Sequence, residues 1–205
     1  MLNIGVLVSG RGSNLESILR SMKRGEIKGA RVKVVISNDS RARALRVARE
    51  HGVRAVSIED EGGPREAYDM KVNAELRRNG VAPGKGLILL AGYMRVLSKP
   101  FVEMHAGRIM NIHPSLLPAF PGLNAQAQAL SYGAKVSGCT VHFVVPQVDA
   151  GPVIVQKAVP ISPGDDERSL ASRILRQEHR IYPQAVKLFV EGRLRMDGRR
   201  VRISN

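Results

Sequence analysis

The first half of the chain alternates short apolar runs with longer amphipathic stretches. The apolar runs cover residues 2–8, 32–37, 53–58, 87–91 and 108–113. Because these runs have no polar side, they are typical of strands buried on both faces of a parallel sheet. Helical spacing of apolar residues predicts helices after Asn14, over 41–50, from Pro64 to near Gly80, and over 99–106. The pattern predicts a doubly wound α/β domain, with helices on both faces of a mainly parallel sheet.

Beyond Pro114 the pattern predicts mixed strands. In residues 139–145, the apolar side chains of Cys139, Val141, Phe143 and Val145 alternate with Thr140, His142 and Val144. Residues 153–159 form another short, mainly apolar run. Alternation is typical of strands whose two faces meet different surroundings, which antiparallel sheets accommodate. We therefore expect antiparallel or mixed strands to extend the parallel sheet.

The C-terminal region predicts a long helix followed by a terminal hairpin. Residues 166–190 carry apolar side chains at helical spacing, and Pro183 within them predicts a kink or a split. Residues 194–203 contain Asp197-Gly198, a pair that favours a two-residue hairpin turn. No internal repeat occurs, so we expect residues 1–205 to form a single domain.

The composition is that of a folded and strongly basic chain. The sequence has 205 residues, of which 43% are hydrophobic, and this length suits one domain with a sizeable core. Its 32 Lys and Arg against 18 Asp and Glu give a formal net charge of +14, which attracts phosphorylated metabolites, carboxylates or nucleic acid. Aromatic residues make up only 4% and Trp is absent, so the stacking platforms of RNA and single-strand binders are poorly supplied.

Targeting signals and metal motifs are not found in the sequence. No apolar run approaches the length of a membrane span, and the N-terminus lacks the basic and apolar regions of a secretory signal. Cys139 is the only cysteine, which excludes an intrachain disulfide. His51, His105 and His179 have no second ligand at metal spacing, so we expect no metal. These features predict a cytoplasmic protein without a membrane partner.

A glycine-containing loop, Ser9-Gly10-Arg11-Gly12-Ser13-Asn14, follows the first predicted strand. Backbone N–H groups at such a junction between strand and helix can face an anion, and the side chains of Ser13 and Asn14 add donors. The loop matches a dinucleotide-binding fingerprint only in part, because Leu15 occupies the third glycine position, although Asp39 would suit a ribose. A tight turn before a capped helix is the structural alternative. The loop therefore predicts an anion site without fixing the ligand.

A second candidate, Asn111-Ile112-His113-Pro114, ends the fifth predicted strand. Residues two apart on a strand point to the same face, so the side chains of Asn111 and His113 would lie side by side. Open α/β sheets bind their ligands at this carboxyl end of the strands. An amide N–H and an imidazole N–H directed at one point would stabilise the oxyanion of an acyl transfer. A hydrogen-bonded structural histidine is the alternative.

Asp149, in Asp149-Ala150-Gly151-Pro152, falls in a predicted turn between two strands. Its carboxylate would return to the sheet edge, favour the protonated imidazole of His113 and fix the orientation of that ring. An ordinary aspartate in a turn is the alternative interpretation. His142 alternates with apolar neighbours in its strand and is predicted to face either solvent or this site.

These segments together resemble the glycinamide ribonucleotide (phosphoribosylglycinamide) formyltransferases of the folate-dependent formyltransferase family. The resemblance covers nearly the whole chain and rests on the loop 9–14, Ala91-Gly92-Tyr93-Met94-Arg95-Val96-Leu97, Asn111-Ile112-His113-Pro114-Ser115-Leu116-Leu117-Pro118 and residues 149–152. It implies a formyltransferase fold and transfer of a formyl group from 10-formyltetrahydrofolate to the amine of 5-phosphoribosylglycinamide, in purine biosynthesis. It also implies a Rossmann-like substrate half, residues 1–110, and a folate-binding and catalytic half, residues 111–205.

The resemblance implies roles for individual residues. Asn111 and His113 would polarise the formyl carbonyl, His113 would also donate a proton, and Asp149 would help the proton to move. The positions that would hold the phosphorylated substrate are Gly12, Ser13, Asn14 and Glu178, the last at its glycinamide side. The implied folate contacts are Arg65, Met94, Arg95, Val96, Leu97, Asn111, Val145, Pro146, Gln147, Val148 and Asp149. Some relatives carry histidines where this chain has Asn124-Ala125-Gln126-Ala127-Gln128, which leaves substrate contacts from that stretch open.

Three alternatives differ from this expectation in acceptor or in class of protein. A 10-formyltetrahydrofolate hydrolase would use the same residues with water, but such enzymes usually carry an N-terminal regulatory domain, whereas the first predicted strand begins at residue 2. A methionyl-tRNA formyltransferase would suit the charge but normally has a C-terminal RNA-binding barrel. A basic nucleic-acid-binding module without catalysis would leave Asn111, His113 and Asp149 without a role. We therefore expect small-molecule substrates, no nucleic-acid partner, and a monomer or homodimer.

Overall fold

The computed structural model describes residues 1–204, and a single sheet runs through them. The strands are β1 (Leu2–Val8), β2 (Ala30–Ser37), β3 (Arg54–Ser57), β4 (Leu87–Leu90), β5 (Ile109–His113), β6 (Val136–Phe143), β7 (Val153–Pro160), β8 (Leu194–Asp197) and β9 (Arg200–Ile203). The helices are α1 (Ser13–Lys23), α2 (Arg43–Glu50), α3 (Arg65–Arg78), α4 (Lys99–Met104), α5 (Ala125–Tyr132) and α6 (Glu167–Val190). The nine strands lie in the order β3-β2-β1-β4-β5-β6-β7-β9-β8.

The central strands are buried on both faces, as their unbroken apolar sequences predict. On β4, Leu87 and Leu89 point into one hydrophobic core, and Ile88 and Leu90 point into the other. Residues of α1, α2 and α6 pack in the first core, and residues of α3 and α4 pack in the second. The prediction of a doubly wound sheet with helices on both faces is therefore confirmed.

The strand order creates a crevice at the carboxyl ends of β1 and β4. β1 pairs in parallel with β2 on one side and with β4 on the other, and β4 pairs in parallel with β5. From β1 the chain adds β2 and β3 on one side of the sheet and then returns to place β4 on the other side of β1. The connections that follow β1 and β4 therefore lead in opposite directions. Ligands of open α/β sheets bind at such a point. The loop 9–12 after β1, the segment 91–98 after β4 and His113 at the end of β5 all lie at this edge.

The second half adds strands of mixed direction, as predicted. β6 runs antiparallel to β5 and β7 antiparallel to β6, while β9 pairs in parallel with β7 at Val153 and Arg200. In the pairing of β5 with β6, His142 lies opposite Asn111. This register brings a histidine from the second half beside the amide that ends the parallel sheet.

Two local predictions need correction. Helix α6 does not split at Pro183, because that residue is buried and its neighbours Tyr182 and Ala185 pack fully in the core, which offsets the hydrogen bond that proline cannot donate. The hairpin turn is Gly198-Arg199 rather than Asp197-Gly198, since Asp197 pairs with Arg200. Gly198 has a φ of 59°, which a two-residue hairpin turn of type II′ requires at its first position.

Helix α5 is absent from the sequence-based prediction. Its alternating Ala and Gln give almost no apolar stripe, and only Ala125 and Ala129 are buried. The helix packs against α6, so tertiary contact rather than periodicity defines it. Among residues 1–204, no helix is both long enough and apolar enough to cross a membrane.

Candidate active site

A cavity of about 560 Å³, here called the loop cavity, opens at the carboxyl ends of β1 and β4. One wall is the loop from Ser9 to Asn14, and the opposite wall is one face of α6. The residues of that face recur at helical spacing: Arg168, Ala171, Ser172, Leu175 and Glu178. The sequence interpretation singled out only Glu178 among them, although the same spacing would have found the rest once α6 was placed against the loop.

Gly12 brings the loop close to α2 and turns it into α1. Its φ is 80°, and a Cβ at this position would lie 2.7 Å from the Cα of Ala44. The backbone N–H of Ala44 donates to the carbonyl of Gly10 at 3.0 Å, which holds the loop from the other side. Helix α1 therefore begins at Ser13, and its first N–H groups, including those of Ser13 and Asn14, have no carbonyl partner within the helix. Such a helix start suits an anion.

Asn14 and Glu178 join the two walls of the loop cavity. The Asn14 Nδ2 donates to Glu178 Oε2 at 2.7 Å, and both residues are buried. Burial raises the pKa of Glu178, and the hydrogen bond from Asn14 and the charge of Arg11 oppose that rise in part. The Oδ1 of Asn14 is buried and accepts no hydrogen bond from any other part of residues 1–204. The cavity thus combines donors at the helix start with acceptors at its inner end.

A second cavity of about 560 Å³, here called the central cavity, lies beside the first. Its walls come from the segment after β4, the end of β5 and the loop between β6 and β7. Of the residues assigned to folate, it is lined by Met94, Arg95, Val96, Leu97, Asn111, Val145, Pro146, Gln147, Val148 and Asp149. Arg65, the first residue of α3, is exposed and does not line it. The structure thus brings together all of these predicted positions except Arg65.

His113 and Asp149 meet in the central cavity across a long stretch of sequence. The His113 Nδ1 lies 3.3 Å from Asp149 Oδ2, and both side chains are about nine-tenths buried. The His113 Nε2 lies 2.9 Å from the carbonyl oxygen of Phe120. Each ring nitrogen therefore faces an oxygen acceptor, so a proton on either nitrogen has a hydrogen-bond partner. Asp149 Oδ2 also accepts from the backbone N–H of Gly122 at 2.8 Å, which fixes the carboxylate.

The backbone of Asp149 adopts a conformation that few side chains favour. Its φ is 51°, in the left-handed region where aspartate and asparagine occur most often among residues other than glycine. Gly151 follows where a Cβ would lie 1.6 Å from the carbonyl oxygen of Phe143. The sequence marks this segment as a turn, and the structure shows that the turn returns the carboxylate to the end of β5.

His142 faces the site and not the solvent. It is 2% exposed, and its Nδ1 lies 2.8 Å from the carbonyl oxygen of Phe143, to which it can only donate. Burial lowers the pKa of His142 and so favours the neutral ring, in which a proton on Nδ1 leaves a lone pair on Nε2. Asn111 Nδ2 lies 3.2 Å from this Nε2 and donates to it. This contact orients the Asn111 amide.

Arg95 lines the central cavity with its charge already compensated. Its guanidinium pairs with Asp60 and lies 4.1 Å from the centre of the Tyr68 ring. Arg168, by contrast, lines the loop cavity and forms no ion pair with any side chain of residues 1–204. Within the same residues, no group of three or more His, Cys, Asp or Glu is arranged to hold a metal ion.

The two cavities share part of their lining. The residues that line both are Gly92, Met94, Ile112, Pro114 and Gln126. A ligand at the start of α1 and a ligand between residues 93–97 and 144–149 would therefore approach each other at this junction. The catalytic candidates Asn111, His113 and Asp149 line the central cavity beside it. Such an arrangement can bring two substrates into contact and stabilise negative charge on a carbonyl oxygen.

Comparisons with known proteins agree with this geometry. The formyl transferase family matches residues 2–186. The phosphoribosylglycinamide formyltransferase of Escherichia coli (strain K12) is 45% identical over 196 residues, which is 95% of this chain and 90% of that protein. The structure of glycinamide ribonucleotide transformylase 1 from Symbiobacterium toebii is 51% identical, with a TM-score of 0.95, and the match covers 100% of this chain and 95% of that one.

A relative named for a different activity shares the fold. A formyltetrahydrofolate deformylase from Burkholderia mallei is 27% identical, with a TM-score of 0.88, and the match covers 100% of this chain and 70% of that one. The family match and the E. coli relative extend over most of the chain, including the loop 9–14, the end of β5 and Asp149. This chain belongs to the formyl transferase family.

Proposed function

We propose that this protein transfers the formyl group of 10-formyltetrahydrofolate to the amine of 5-phosphoribosylglycinamide, a step of purine biosynthesis. The observation that carries the proposal is the junction of two cavities, one with a helix start suited to phosphate and one with Asn111, His113 and Asp149. The 45% identity to an E. coli protein named for this activity supports it.

The loop cavity is assigned to the phosphorylated substrate. Its phosphate would accept hydrogen bonds from the N–H groups at the start of α1, at Gly12, Ser13 and Asn14, where the helix dipole also favours negative charge. Glu178 and the free Oδ1 of Asn14 would accept hydrogen bonds from hydroxyl or amide groups farther along the substrate. The proposed substrate half, residues 1–110, is thus completed by α6 from the second half, residues 111–205.

The central cavity is assigned to the folate. The segments Met94 to Leu97 and Val145 to Val148 both line this cavity, and most of their side chains are apolar, which suits the flat ring system of the folate. A contact from Arg65 requires that the folate extend beyond this cavity toward the start of α3. No metal takes part in this proposal, because the residues themselves supply the proton transfers.

The reaction exchanges one bond to the formyl carbon for another. The substrate amine forms a bond to this carbon, the bond from the carbon to the folate nitrogen breaks, and one proton passes from the amine to the folate nitrogen. Asn111 would donate a hydrogen bond to the formyl oxygen as it gains negative charge, and His113 would donate to it in exchange for its contact with the Phe120 carbonyl oxygen. Asp149 would fix the orientation of the His113 ring and accept the amine proton on its way to the leaving nitrogen.

A formyl-transfer assay with three acceptors tests the proposal. Purified protein is given 10-formyltetrahydrofolate with 5-phosphoribosylglycinamide, with water alone, or with methionyl-tRNA, and the formylated product is measured. We expect the ribonucleotide to be the preferred acceptor by several orders of magnitude. Equal turnover with water alone would identify a hydrolase, the activity for which the B. mallei relative is named, and would overturn the assignment of the acceptor.

Two substitutions test the proposed catalytic groups. Asp149→Asn keeps a residue that tolerates a φ of 51° and removes the charge that faces His113, so we expect kcat to fall by at least a factor of about 100 while the fold is retained. His113→Ala removes both the donor and the acid, and we expect a larger loss. Circular dichroism and thermal unfolding check folding, and wild-type turnover in either variant would contradict the mechanism.

Separate KM measurements for the two substrates test the assignment of the loop cavity to the ribonucleotide. Ser13→Ala removes a hydroxyl beside the N–H groups assigned to the phosphate, and Asn14→Ala removes the amide at the inner end of the loop cavity. We expect each to raise the KM for the ribonucleotide by about tenfold and to leave the KM for the folate within a factor of about two. An unchanged KM for the ribonucleotide in both variants would show that these side chains do not contact this substrate.

A further inference from the structure

Gln126 has the one hydrogen-bonding side chain at the junction of the two cavities. The other residues that line both are Gly92, Met94, Ile112 and Pro114, whose side chains offer no N–H or O–H donor and no oxygen acceptor. The side-chain amide of Gln126 forms no hydrogen bond with any other group of residues 1–204, although it is partly buried. An amide in such a place is free to donate to a ligand and to accept from it.

The position of Gln126 is set by a loop that also holds the proposed catalytic groups. The residue lies in the first turn of α5, which is preceded by Asn124 in the left-handed conformation, with a φ of 56°. The Gln128 Nε2 donates to the carbonyl oxygens of Pro121, at 3.0 Å, and Leu123, at 2.8 Å, and so closes the loop. The same loop supplies the Phe120 carbonyl to His113 and the Gly122 N–H to Asp149. These contacts fix the position of helix α5 relative to His113 and Asp149.

The chemistry of the acceptor matches this side chain. The glycinamide group carries an amide C=O and N–H next to the methylene that bears the attacking amine. A glutamine amide offers the complementary donor and acceptor, as in paired amides. The amine must meet the formyl carbon where the two cavities join, and Gln126 lies there, whereas Asn14 and Glu178 line only the loop cavity.

We propose that Gln126 is a positioning residue that hydrogen-bonds the glycinamide amide of the acceptor and aims its amine at the formyl carbon. This inference rests on the proposed function. It assigns a substrate contact to the stretch 124–128, which the sequence left open. Holding the amine in a near-attack geometry contributes to the rate through orientation, so the effect falls on the acceptor and not on the folate.

Three variants test the inference in steady-state assays that vary each substrate in turn. Gln126→Met keeps the length of the side chain and removes its hydrogen bonds, and we expect kcat/KM for the ribonucleotide to fall about three- to tenfold, the range for one neutral hydrogen bond. The KM for 10-formyltetrahydrofolate is expected to stay within a factor of about two. Gln126→His, whose ring can also donate and accept, is expected to recover most of the loss.

Gln128→Met is the matched comparison on the same helix. It removes the two hydrogen bonds that close the loop, so we expect it to lower kcat/KM for both substrates by similar factors and to lower the thermal midpoint. The same pattern in Gln126→Met, or wild-type kinetics in that variant, would overturn the positioning role. If the wild-type protein does not formylate the ribonucleotide, the proposed function is refuted, and the positioning role of Gln126 is refuted with it. If only the result for Gln126→Met differs from expectation, the positioning role alone is refuted.

Discussion

Replacing Gly12 by alanine perturbs the proposed phosphate site through a single methyl group. Two costs add at this position. An alanine with a φ of 80° costs about 1 kcal/mol in the left-handed region. A Cβ at 2.7 Å from the Cα of Ala44 and 2.8 Å from its Cβ forces α2 or the loop to move, and overpacking of this kind costs about 1–3 kcal/mol. We therefore expect Gly12→Ala to lower the free energy of unfolding by about 2–4 kcal/mol.

The same substitution two residues earlier is the control. At Gly10 an added Cβ would meet no atom within 4 Å and the backbone has no left-handed φ, so Gly10→Ala should change the free energy of unfolding by less than about 0.5 kcal/mol. Urea unfolding followed by circular dichroism measures both variants. For a chain of this size, the loss in Gly12→Ala corresponds to a fall of about 4–16 °C in Tm. Equal stability of the two variants would refute the argument from close packing of the loop against α2.

Steady-state kinetics of Gly12→Ala distinguish a displaced phosphate site from a general loss of stability. If Gly12→Ala moves the start of α1, the N–H groups assigned to the phosphate move with it, and the KM for the ribonucleotide should rise more than the KM for the folate. The comparison is made at a temperature well below the Tm of the variant, where the protein is folded. Equal changes in the two KM values would indicate a general loosening of the fold rather than a displaced phosphate site.

Two further predictions concern buried polar groups away from the cavities. The Tyr182 hydroxyl lies 3.0 Å from the carbonyl oxygens of both Leu90 and Met110, so Tyr182→Phe should cost about 1–3 kcal/mol in denaturant unfolding, and a loss smaller than about 0.5 kcal/mol would contradict the link between β4 and β5. Burial lowers the pKa of His105, which contacts Asn73 Oδ1 at 3.0 Å, from 6.5 to about 4. Between pH 6.5 and pH 4, His105 binds a proton in the unfolded chain but not in the folded chain. The free energy of unfolding is therefore highest above pH 6.5 and decreases as the pH falls toward 4. Relative to His105→Gln, we expect the wild type to lose roughly 1–2 kcal/mol between pH 7 and pH 5, and parallel pH profiles would contradict this.

The structure shows which arginines line the two cavities. The sequence placed Arg65 and Arg95 at or beside the site, but Arg95 is paired with Asp60, and Arg65 lies outside the central cavity. Arg168 lines the loop cavity, where its charge would favour the encounter with a phosphate. Most of the net charge of +14 lies on exposed side chains that line neither cavity. Composition indicated the sign of the ligand, and only the packing of α6 against the loop selected this arginine.

Local patterns in the sequence account for the layered framework and for the main chemical groups. The periodicity of residues 2–113 is a local property, so it predicted five parallel strands and the helices between them. The carboxyl ends of β1 and β5 follow from that framework, and with them the loop 9–14 and the pair Asn111 and His113. The turn at Asp149 added a third candidate, and the resemblance to a family then named the folate segment; the structure brings both to the same cavity.

The contacts between distant segments depend on tertiary packing. The turn at Asp149 suggested a contact with His113 but gave no distance, and the strand of His142 did not decide between solvent and the site. Helix α5 forms without an apolar stripe, because its two buried alanines find a surface that another part of the chain provides. Its placement puts Gln126 at the junction of the cavities. Periodicity records which face of an element is buried, whereas a site depends on contacts between segments far apart in sequence, and those follow from the packing of the whole sheet and its helices.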